Sequence, residues 1–411
     1  MKPTKVGIVS LGCPRNLVDS QNLLGTLHAK GYEIVDIQKA DIGLVNTCSF
    51  IEDAKKESID AILDLISLKK EGRLKKIIVA GCLPERYKEA LLPHLKEVDA
   101  FMGKLGLSTD KGKSYALIPH HFAYLKISEG CNHPCSFCII PTIKGKLQSR
   151  AIGAIVKEAK ALDEEGKSEI NIIGQDISQY GLDIYKKPQL ALLLAKISAA
   201  LKKARWIRLL YLHPNHLTHD LIKVIARDQK ICKYVDVPFQ HINNRILKAM
   251  RRSTDKKKIT TLLSYIRKEI PGLVIRTSLI VGFPGETEKE FKELLSFVKE
   301  QKFERLGVFK YSREEGTLAF DYPGQIPERI KEERYKSTMQ AQQEISKALN
   351  EHYAGKECEV LIDEKESATM YLGRLSSDAP EVDGSVYVSA DRALKPGEFV
   401  NVKINGADEY D

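Results

Sequence analysis

Apolar residues in the first part of the chain alternate between short continuous runs and longer stretches with helical spacing. The runs KVGIVSL, YEIVDI, DIGLVNT and KKIIVAG predict strands, and the stretches NLVDSQNLLGTLHAKG and AKKESIDAILDLISLKKEG predict amphipathic helices. Strands that alternate with helices in this way form parallel sheets. We therefore predict an N-terminal doubly wound parallel-sheet α/β domain over residues 1–116.

The same alternation continues with about six further pairs of strand and helix. Strands are predicted at AYLKIS, SEINII, WIRLLYL, KYVDV, LVIRTSLIV and RLGVFKYS. The stretch KEFKELLSFVKEQ predicts a helix, and Thr287 and Glu290 have the spacing of a capping box at its start. This pattern predicts a partial (β/α)6 barrel over residues 117–349, with its active site at the carboxyl ends of the strands.

The last segment, residues 350–411, has a different character. ECEVLIDE, TMYLGRL, SVYVS and EFVNVKING predict short strands, separated by turns at Asp383–Gly384 and Pro396–Gly397. Such a pattern predicts a small antiparallel β-barrel, which is suited to binding more than to chemistry.

Charge is unevenly distributed between these segments. The net charge of the 411 residues is +9, but residues 350–411 hold 14 acidic and 6 basic side chains, so this segment carries −8 and the rest carries +17. A basic body with an acidic terminal domain indicates a charged macromolecular partner.

The chain has no apolar run near the roughly 20 residues that cross a bilayer, and its start runs directly into a predicted strand. Its eight cysteines are too few for a disulfide scaffold of this length. We therefore predict a cytoplasmic protein without a membrane partner, whose grouped cysteines are metal ligands in a reducing compartment.

Three cysteines lie close together in the run EGCNHPCSFCIIP, at Cys131, Cys135 and Cys138. Three thiolates can hold a cubane iron–sulfur cluster and leave one iron open for a substrate. A structural zinc site needs four ligands, and His133 is a possible fourth. The spacing favours the cluster over zinc.

Three more cysteines each follow a predicted strand directly, at Cys13, Cys48 and Cys82. Ligands bind at the carboxyl edge of an open α/β sheet, so these residues should converge there. Three ordinary core cysteines are the alternative. Their recurrence just past strand ends favours a second metal site with three cysteines.

The motifs around both cysteine groups, SLGCPRNLVDSQ, NTCSFIEDAKKES, AGCLPERY and EGCNHPCSFCIIP, resemble those of the radical S-adenosylmethionine (SAM) methylthiotransferases. The resemblance covers essentially the whole chain, including a TRAM-like terminal barrel. Within that family the chain resembles the RimO type, which modifies an aspartate of small-subunit ribosomal protein twelve. The tRNA-modifying MiaB type typically has a different stretch after its first cysteine.

The resemblance implies two 4Fe–4S clusters. Cys131, Cys135 and Cys138 would hold the cluster that cleaves SAM. The other three cysteines, Cys13, Cys48 and Cys82, would hold an auxiliary cluster that carries the transferred sulfur. It also implies an electron donor such as flavodoxin or ferredoxin, and a basic ribosomal protein, or the ribosomal subunit, as the substrate.

Further candidate residues are less specific. Phe137 would lie near the adenine of SAM, or it packs within its loop. Loops where SAM polar groups are usually bound contain Gly174, Gln175, Asp176, Gly282 and Glu286. His213 and His241 are candidates in the cavity, although single histidines are more often structural. The run that contains Arg251 and Arg252 is either a contact for the substrate or a solvated charged face.

The acidic terminal domain should repel tRNA, because RNA binding depends on neutralising phosphates with Lys and Arg. It should attract a basic ribosomal protein. We therefore predict a protein substrate, with tRNA adenosine methylthiolation as the alternative. A third possibility is a non-catalytic iron–sulfur or zinc protein that binds RNA through the β-barrel.

Overall fold

The computed structural model describes residues 3–106 and 115–411, which form an N-terminal, a central and a C-terminal unit. The N-terminal unit contains β1 Lys5–Ser10, α1 Pro14–Ala29, β2 Glu33–Ile34, β3 Ile42–Thr47, α2 Glu52–Lys70, β4 Lys76–Gly81, α3 Cys82–Leu91 and β5 Ala100–Phe101. Its five strands are all parallel, in the order β2-β1-β3-β4-β5. Val45, Ile62 and Ile77 lie in the core between sheet and helices.

One strand of this sheet is much shorter than predicted. YEIVDI was expected to be a strand, but only Glu33 and Ile34 pair with β1. The chain then turns into a short 3-10 helix at Ile37–Lys39, where the carboxylate of Asp36 accepts a hydrogen bond from the backbone N of Gln38. An Asp that caps a turn in this way competes with the strand.

The central unit contains β6 Phe122–Lys126, β7 Ser128–Glu129, α4 Ile140–Lys144, β8 Gln148–Ser149, α5 Ile152–Glu164, β9 Glu169–Ile173, α6 Leu182–Tyr185, α7 Leu190–Ala200, β10 Trp206–Leu209, α8 His219–Arg227, β11 Ile231–Asp236, α9 Asn244–Ala249, α10 Lys256–Glu269, β12 Val274–Val281, α11 Glu288–Gln301, β13 Arg305–Lys310 and α12 Glu328–Asn350. Six of these strands form a parallel sheet, in the order β13-β12-β11-β10-β9-β6. The predicted capping box of α11 is present, with both hydrogen bonds between Thr287 and Glu290.

The two faces of this sheet differ in polarity. Alternate residues such as Ile170, Ile207 and Ile275 pack against the helices in one large apolar core. The intervening residues on the other face include the buried polar side chains of Tyr124, Arg208 and Tyr234 and the half-buried side chain of Arg276. This polar face is covered by the neighbouring units.

The C-terminal unit is a four-stranded antiparallel sheet in the order β16-β15-β14-β17. Its strands are β14 Glu357–Lys365, β15 Met370–Arg374, β16 Val386–Ser389 and β17 Phe399–Lys403. With it the predicted fold class is confirmed: a parallel α/β domain, a partial (β/α) barrel and a small antiparallel β-domain. Among the described residues, no helix is long and apolar enough to cross a membrane.

The loop between β15 and β16 inserts its acidic side chains against the polar face of the barrel sheet. The Tyr124 hydroxyl donates to Glu381 Oε2 over 2.7 Å, and the Tyr234 hydroxyl donates to Asp383 Oδ2 over 2.6 Å. Asp378 pairs with Arg305 in the same way, at 2.5 Å. The loop therefore fixes the C-terminal unit on the barrel through two hydrogen bonds from tyrosines and one ion pair.

The N-terminal unit contacts the loops at the carboxyl edge of the barrel. Arg86 Nη1 lies 2.9 Å from Glu314 Oε2, with both side chains buried. Asp19 of α1 forms a buried ion pair with Lys126 of β6, and Lys126 Nζ also lies 2.6 Å from Glu129 Oε2. These contacts bring the carboxyl edges of the two parallel sheets together.

Candidate functional site

Cys13, Cys48 and Cys82 lie together at the carboxyl edge of the N-terminal sheet. Cys13 directly precedes α1, Cys48 follows β3, and Cys82 is the first residue of α3. Gly12 has φ +87°, and a Cβ built there would lie 2.7 Å from Cys48 Cβ. Only glycine permits this close approach of the two loops.

A buried asparagine holds these three strand ends in place. Asn16 Nδ2 donates to the carbonyl oxygens of Leu11 and Thr47, at 3.2 and 3.0 Å. Its Oδ1 lies 3.8 Å from Cys82 Sγ, within the longer hydrogen-bond distance of sulfur. The side chain therefore ties the loops after β1, β3 and β4 to one another. The sequence prediction did not include this residue, although it lies three positions after Cys13.

The thiols of this first triad differ in acidity. Burial raises the pKa of Cys48, and it raises the pKa of Cys82 to about 12. Burial acts in the same direction on Cys13, but the Arg15 guanidinium and the backbone N–H groups of Arg15 and Asn16 together outweigh it and lower the pKa of that thiol below its ordinary value. Buried thiols become thiolates when a metal supplies the compensating charge, so this donor set fits a metal cluster.

Cys131, Cys135 and Cys138 lie in the loop between β7 and α4. The backbone N of Cys131 donates to the Gly145 carbonyl over 3.1 Å, which closes the loop on itself. Arg252 Nη1 lies 3.7 Å from Cys135 Sγ. Burial raises the pKa of Cys131 to about 11 and that of Cys138 to about 12. This second triad therefore also fits a metal cluster.

The two triads face each other across the contact between the two units. Cys82 packs against Ile139 and Ile143, which directly follow the second triad. Arg15 connects them from another side, because its Nε donates to Cys13 Sγ over 3.3 Å and its Nη1 donates to the Gly174 carbonyl over 3.0 Å. The cysteines therefore lie together within each triad, and the two triads also lie close to each other.

Each triad offers three thiols, one fewer than a tetrahedral zinc site needs. The ring of His133, the possible fourth ligand, is engaged elsewhere, since its Nε2 lies 2.7 Å from Asp176 Oδ2 and 2.7 Å from Gln179 Nε2. Three thiols per site match a cubane cluster with one iron free of protein ligands. The geometry of the donors thus fits the cluster better than zinc.

The predicted SAM residues after β9 lie beside the second triad. Gly174 accepts from Arg15, and Gln175 Nε2 donates to Glu129 Oε1 over 2.6 Å. Asp176 is buried, and hydrogen bonds from His133, His216 and Ser178 overcome its burial and hold its pKa well below the usual range. A fixed carboxylate at this position can bind a cationic amino group.

Three histidines form a cluster around Asp176. The rings of His133 and His213 stack with centroids 3.9 Å apart, and His216 Nδ1 lies 3.4 Å from Asp176 Oδ2. Burial lowers the pKa of His213 to about 2, so that ring is neutral. The sequence prediction named His133, Asp176 and His213 separately but not His216, because these residues come together only through the fold.

The remaining candidates mainly shape loops. Phe137 packs against an apolar cluster that includes Met250 and Phe283. The buried carboxylate of Glu286 accepts hydrogen bonds from the backbone N of Gly282 and of Phe283, the latter at 3.1 Å. His241 is fully buried, with its Nε2 3.9 Å from Glu286 Oε1. Cys232 is buried and Cys358 half-buried, and both lie apart from the triads.

Comparison with known proteins assigns each unit to a described family. Residues 5–103 match the uncharacterized protein family UPF0004, residues 125–298 match the radical SAM superfamily, and residues 354–411 match the TRAM domain.

Solved structures share the fold at low sequence identity. The radical SAM methyltransferase TsrM from Kitasatospora setae aligns with a TM-score of 0.54 at 13% identity, over 75% of this chain and 73% of TsrM. The cobalamin-dependent radical SAM enzyme OxsB aligns with a TM-score of 0.52 at 14% identity, over 84% of this chain and 56% of OxsB.

Curated relatives are far more similar and match along their whole length. The ribosomal protein uS12 methylthiotransferase RimO of Pelotomaculum thermopropionicum is 45% identical over 99% of this chain and 98% of its own. The same enzyme of Thermoanaerobacter is 46% identical and that of Geobacter sulfurreducens 44%, each over 99% of this chain and at least 97% of the relative. The chain therefore belongs to the RimO family of radical SAM methylthiotransferases.

Proposed function

We propose that this protein attaches a methylthio group to the β-carbon of an aspartate in ribosomal protein uS12. The observation that carries the proposal is the pair of facing cysteine triads, in a chain that is similar along its whole length to uS12 methylthiotransferases. Methylthio transfer to an unactivated carbon requires both a source of radicals and a source of sulfur. Two adjacent sites with three thiols each match these two requirements.

In this proposal the second triad, Cys131, Cys135 and Cys138, holds the 4Fe–4S cluster that binds SAM. The first triad, Cys13, Cys48 and Cys82, holds an auxiliary 4Fe–4S cluster. When bound, these groups and SAM supply a 5′-deoxyadenosyl radical and the methylthio group. The protein contributes the positions of the two triads, cations beside their thiols at Arg15 and Arg252, and a dry contact through Ile139 and Ile143.

For SAM itself we propose a site at the carboxyl edge of the barrel. Asp176 would accept the amino group, while Gly174 and Gln175 line the same loop and Phe137 flanks the adenine. Gly282 and Glu286 would form the opposite wall, where the carboxylate of Glu286 holds the backbone of its own loop.

Charge supports a protein as the macromolecular substrate. Some of the acidic side chains of the C-terminal unit are already neutralised by arginines, namely Asp363 by Arg374 and Asp378 by Arg305. Others are exposed, at Glu357, Glu364, Glu366 and Asp391. An exposed acidic surface attracts a basic ribosomal protein and repels the phosphates of RNA.

The test is anaerobic reconstitution, followed by reaction with SAM, a reductant, uS12 and tRNA. Flavodoxin or ferredoxin is the class of physiological donor we expect, and dithionite can replace it in the assay. We expect about eight iron atoms per chain and a gain of one methylthio group on uS12, detected by mass spectrometry of the intact protein and its peptides. A methylthio gain on tRNA alone would refute the proposed substrate.

A further inference from the structure

The guanidinium of Arg15 lies between the two cysteine triads. Its Nε contacts Cys13 Sγ at 3.3 Å, and its Nη1 contacts the carbonyl of Gly174, in the loop proposed for SAM, at 3.0 Å. The same loop reaches the second triad, because Asp176 Oδ2 lies 2.7 Å from Nε2 of His133, which stands between Cys131 and Cys135. Arg15 therefore faces the space in which the substrate must meet both centres.

This position is fixed rather than adaptable. Arg15 is the second residue of α1, whose first turn is anchored by the neighbouring buried Asn16. The guanidinium lies over the ring of Tyr211, with 4.4 Å between Cζ and the ring centroid. A cation stacked on an aromatic ring and bonded to a carbonyl keeps its remaining N–H groups pointed in a defined direction.

Other cations around the site are already paired with carboxylates or buried. Lys144 lies 3.5 Å from Asp19 Oδ2 and 3.6 Å from Glu129 Oε1. Arg276 lies 3.5 Å from Asp236 Oδ1. Arg252 is buried behind Cys135.

Arg15 differs from Lys144 and Arg276 in its lack of a carboxylate partner, and from Arg252 in being only half-buried. Within residues 3–106 and 115–411, no carboxylate lies at ion-pair distance from it, and no hydrogen bond uses its Nη2. A half-buried guanidinium that contacts a thiol, a carbonyl and an aromatic ring still has N–H groups that a carboxylate of a ligand can bind.

We propose that Arg15 binds the carboxylate of the target aspartate and so makes the site selective for that residue. This inference rests on the proposed function. The carboxylate of an aspartate is bonded directly to the β-carbon that reacts, so a guanidinium that holds it also fixes the reacting carbon between the triads. Arginine suits this role because its planar N–H groups match a carboxylate and remain charged at any physiological pH.

The test compares two forms of uS12, one with the target aspartate and one with asparagine in its place. Binding of each labelled form to the anaerobically reconstituted enzyme with SAM, but without reductant, is measured by fluorescence anisotropy, so no turnover is needed. We expect the wild-type enzyme to bind the aspartate form about tenfold to a hundredfold more tightly, the range for a charged hydrogen-bonded contact.

Variants of the enzyme then assign this preference to a residue. In Arg15→Gln the ratio of the affinities for the aspartate and asparagine forms should fall to nearly one, because only the aspartate form binds more weakly. Arg15→Lys should retain part of the preference for the aspartate form. Arg276→Gln is the matched control, because Arg276 is a cation near the same Tyr211 that is already paired with Asp236. This variant should prefer the aspartate form of uS12 as strongly as the wild-type enzyme does. Iron content and SAM affinity are measured on every variant.

Two results would overturn the inference. A preserved preference in Arg15→Gln would show that another group binds the carboxylate. Equal weakening of both uS12 forms, with lost iron or lost SAM affinity, would assign Arg15 to the cluster or to SAM instead. Failure of the proposed function itself would give a different result: the wild-type enzyme would leave uS12 unmodified when reductant is added. That result would also remove the basis of the inference about Arg15.

Discussion

A buried charge network between the barrel and the C-terminal unit gives the sharpest stability prediction. Glu169 of β9 and Arg208 of β10 are fully buried, with Arg208 Nε 2.8 Å from Glu169 Oε1. Arg374 of β15 approaches the other carboxylate oxygen, also at 2.8 Å, and contacts Asp363 as well. Both arginines together lower the pKa of Glu169 against the opposing effect of burial, so the group is ionised.

Glu169→Gln keeps the size of the side chain but removes its charge. The amide can accept a hydrogen bond from one arginine, but its NH2 group then faces the donors of the other. Arg374 retains Asp363, whereas Arg208 retains only the carbonyl of Ser376, at 2.8 Å. Loss of one partner from a buried ion network costs about 3 to 5 kcal/mol of unfolding free energy.

The assay uses the single tryptophan of the chain as a local probe. Trp206 is buried in β10 and contacts Phe399 of β17 edge to face, with ring centroids 5.0 Å apart, so its fluorescence reports the docking of these two units. The free energy of unfolding measured in urea should be about 3 to 5 kcal/mol lower for Glu169→Gln than for wild type. The matched control is Glu359→Gln, which breaks an exposed ion pair with Arg205 between the same units, and should cost less than about 1 kcal/mol. Equal losses of unfolding free energy in the two variants would show that the buried network contributes no more than the exposed ion pair.

Three further predictions concern the site and its supports. Cys82→Ser and Cys138→Ser should each lose about four iron atoms per chain while keeping the other cluster, measured by iron analysis and electron paramagnetic resonance; loss of all iron from either would contradict two independent sites. Asn16→Ala should lower the free energy of unfolding by about 1 to 3 kcal/mol and reduce the iron bound by the first triad, because it leaves the buried carbonyl of Thr47 and the half-buried carbonyl of Leu11 without their donor; an unchanged melting temperature and iron content would exclude this role. Glu290→Gln should lower the free energy of unfolding by at most about 3 kcal/mol. The reason is that the hydrogen bonds of Arg245 and of the capping box outweigh the effect of burial and lower the Glu290 pKa to about 2. Since that folded-state pKa is depressed, the difference between wild type and variant should be complete at neutral pH and disappear as pH falls from about 4.5 towards about 2, measured by thermal unfolding; a difference that grows in acid would show the opposite sign.

The fold and the grouping of cysteines could be predicted because both depend on local pattern. Apolar runs of strand length separate amphipathic stretches of helix length, and Cys48 and Cys82 follow two of those runs. Neighbouring parallel strands end at one edge, so residues 34 positions apart in sequence meet there. The capping box of α11 was predictable for the same reason, since its two residues are three positions apart.

The contacts that join the units could not be predicted, because they connect side chains far apart in sequence. Nothing near Arg86 indicates that it pairs with Glu314, and nothing near Glu169 indicates Arg374. Asp176 and its three histidines were missed as a cluster for the same reason, since His133, Asp176 and the pair His213 and His216 belong to three separate loops. Arg15 lies inside the motif SLGCPRNLVDSQ, but its place between the triads depends on how the N-terminal and central units dock.

The proposed function requires that two facing triads hold two clusters that together modify uS12. One anaerobic experiment in a single vessel, with wild-type enzyme, SAM, reductant and uS12, followed by mass spectrometry of uS12, tests this function. We expect one added methylthio group, located on an aspartate, and its absence when Cys82→Ser or Cys138→Ser replaces the wild-type enzyme. An unmodified uS12, despite two intact clusters and cleavage of SAM, would contradict it.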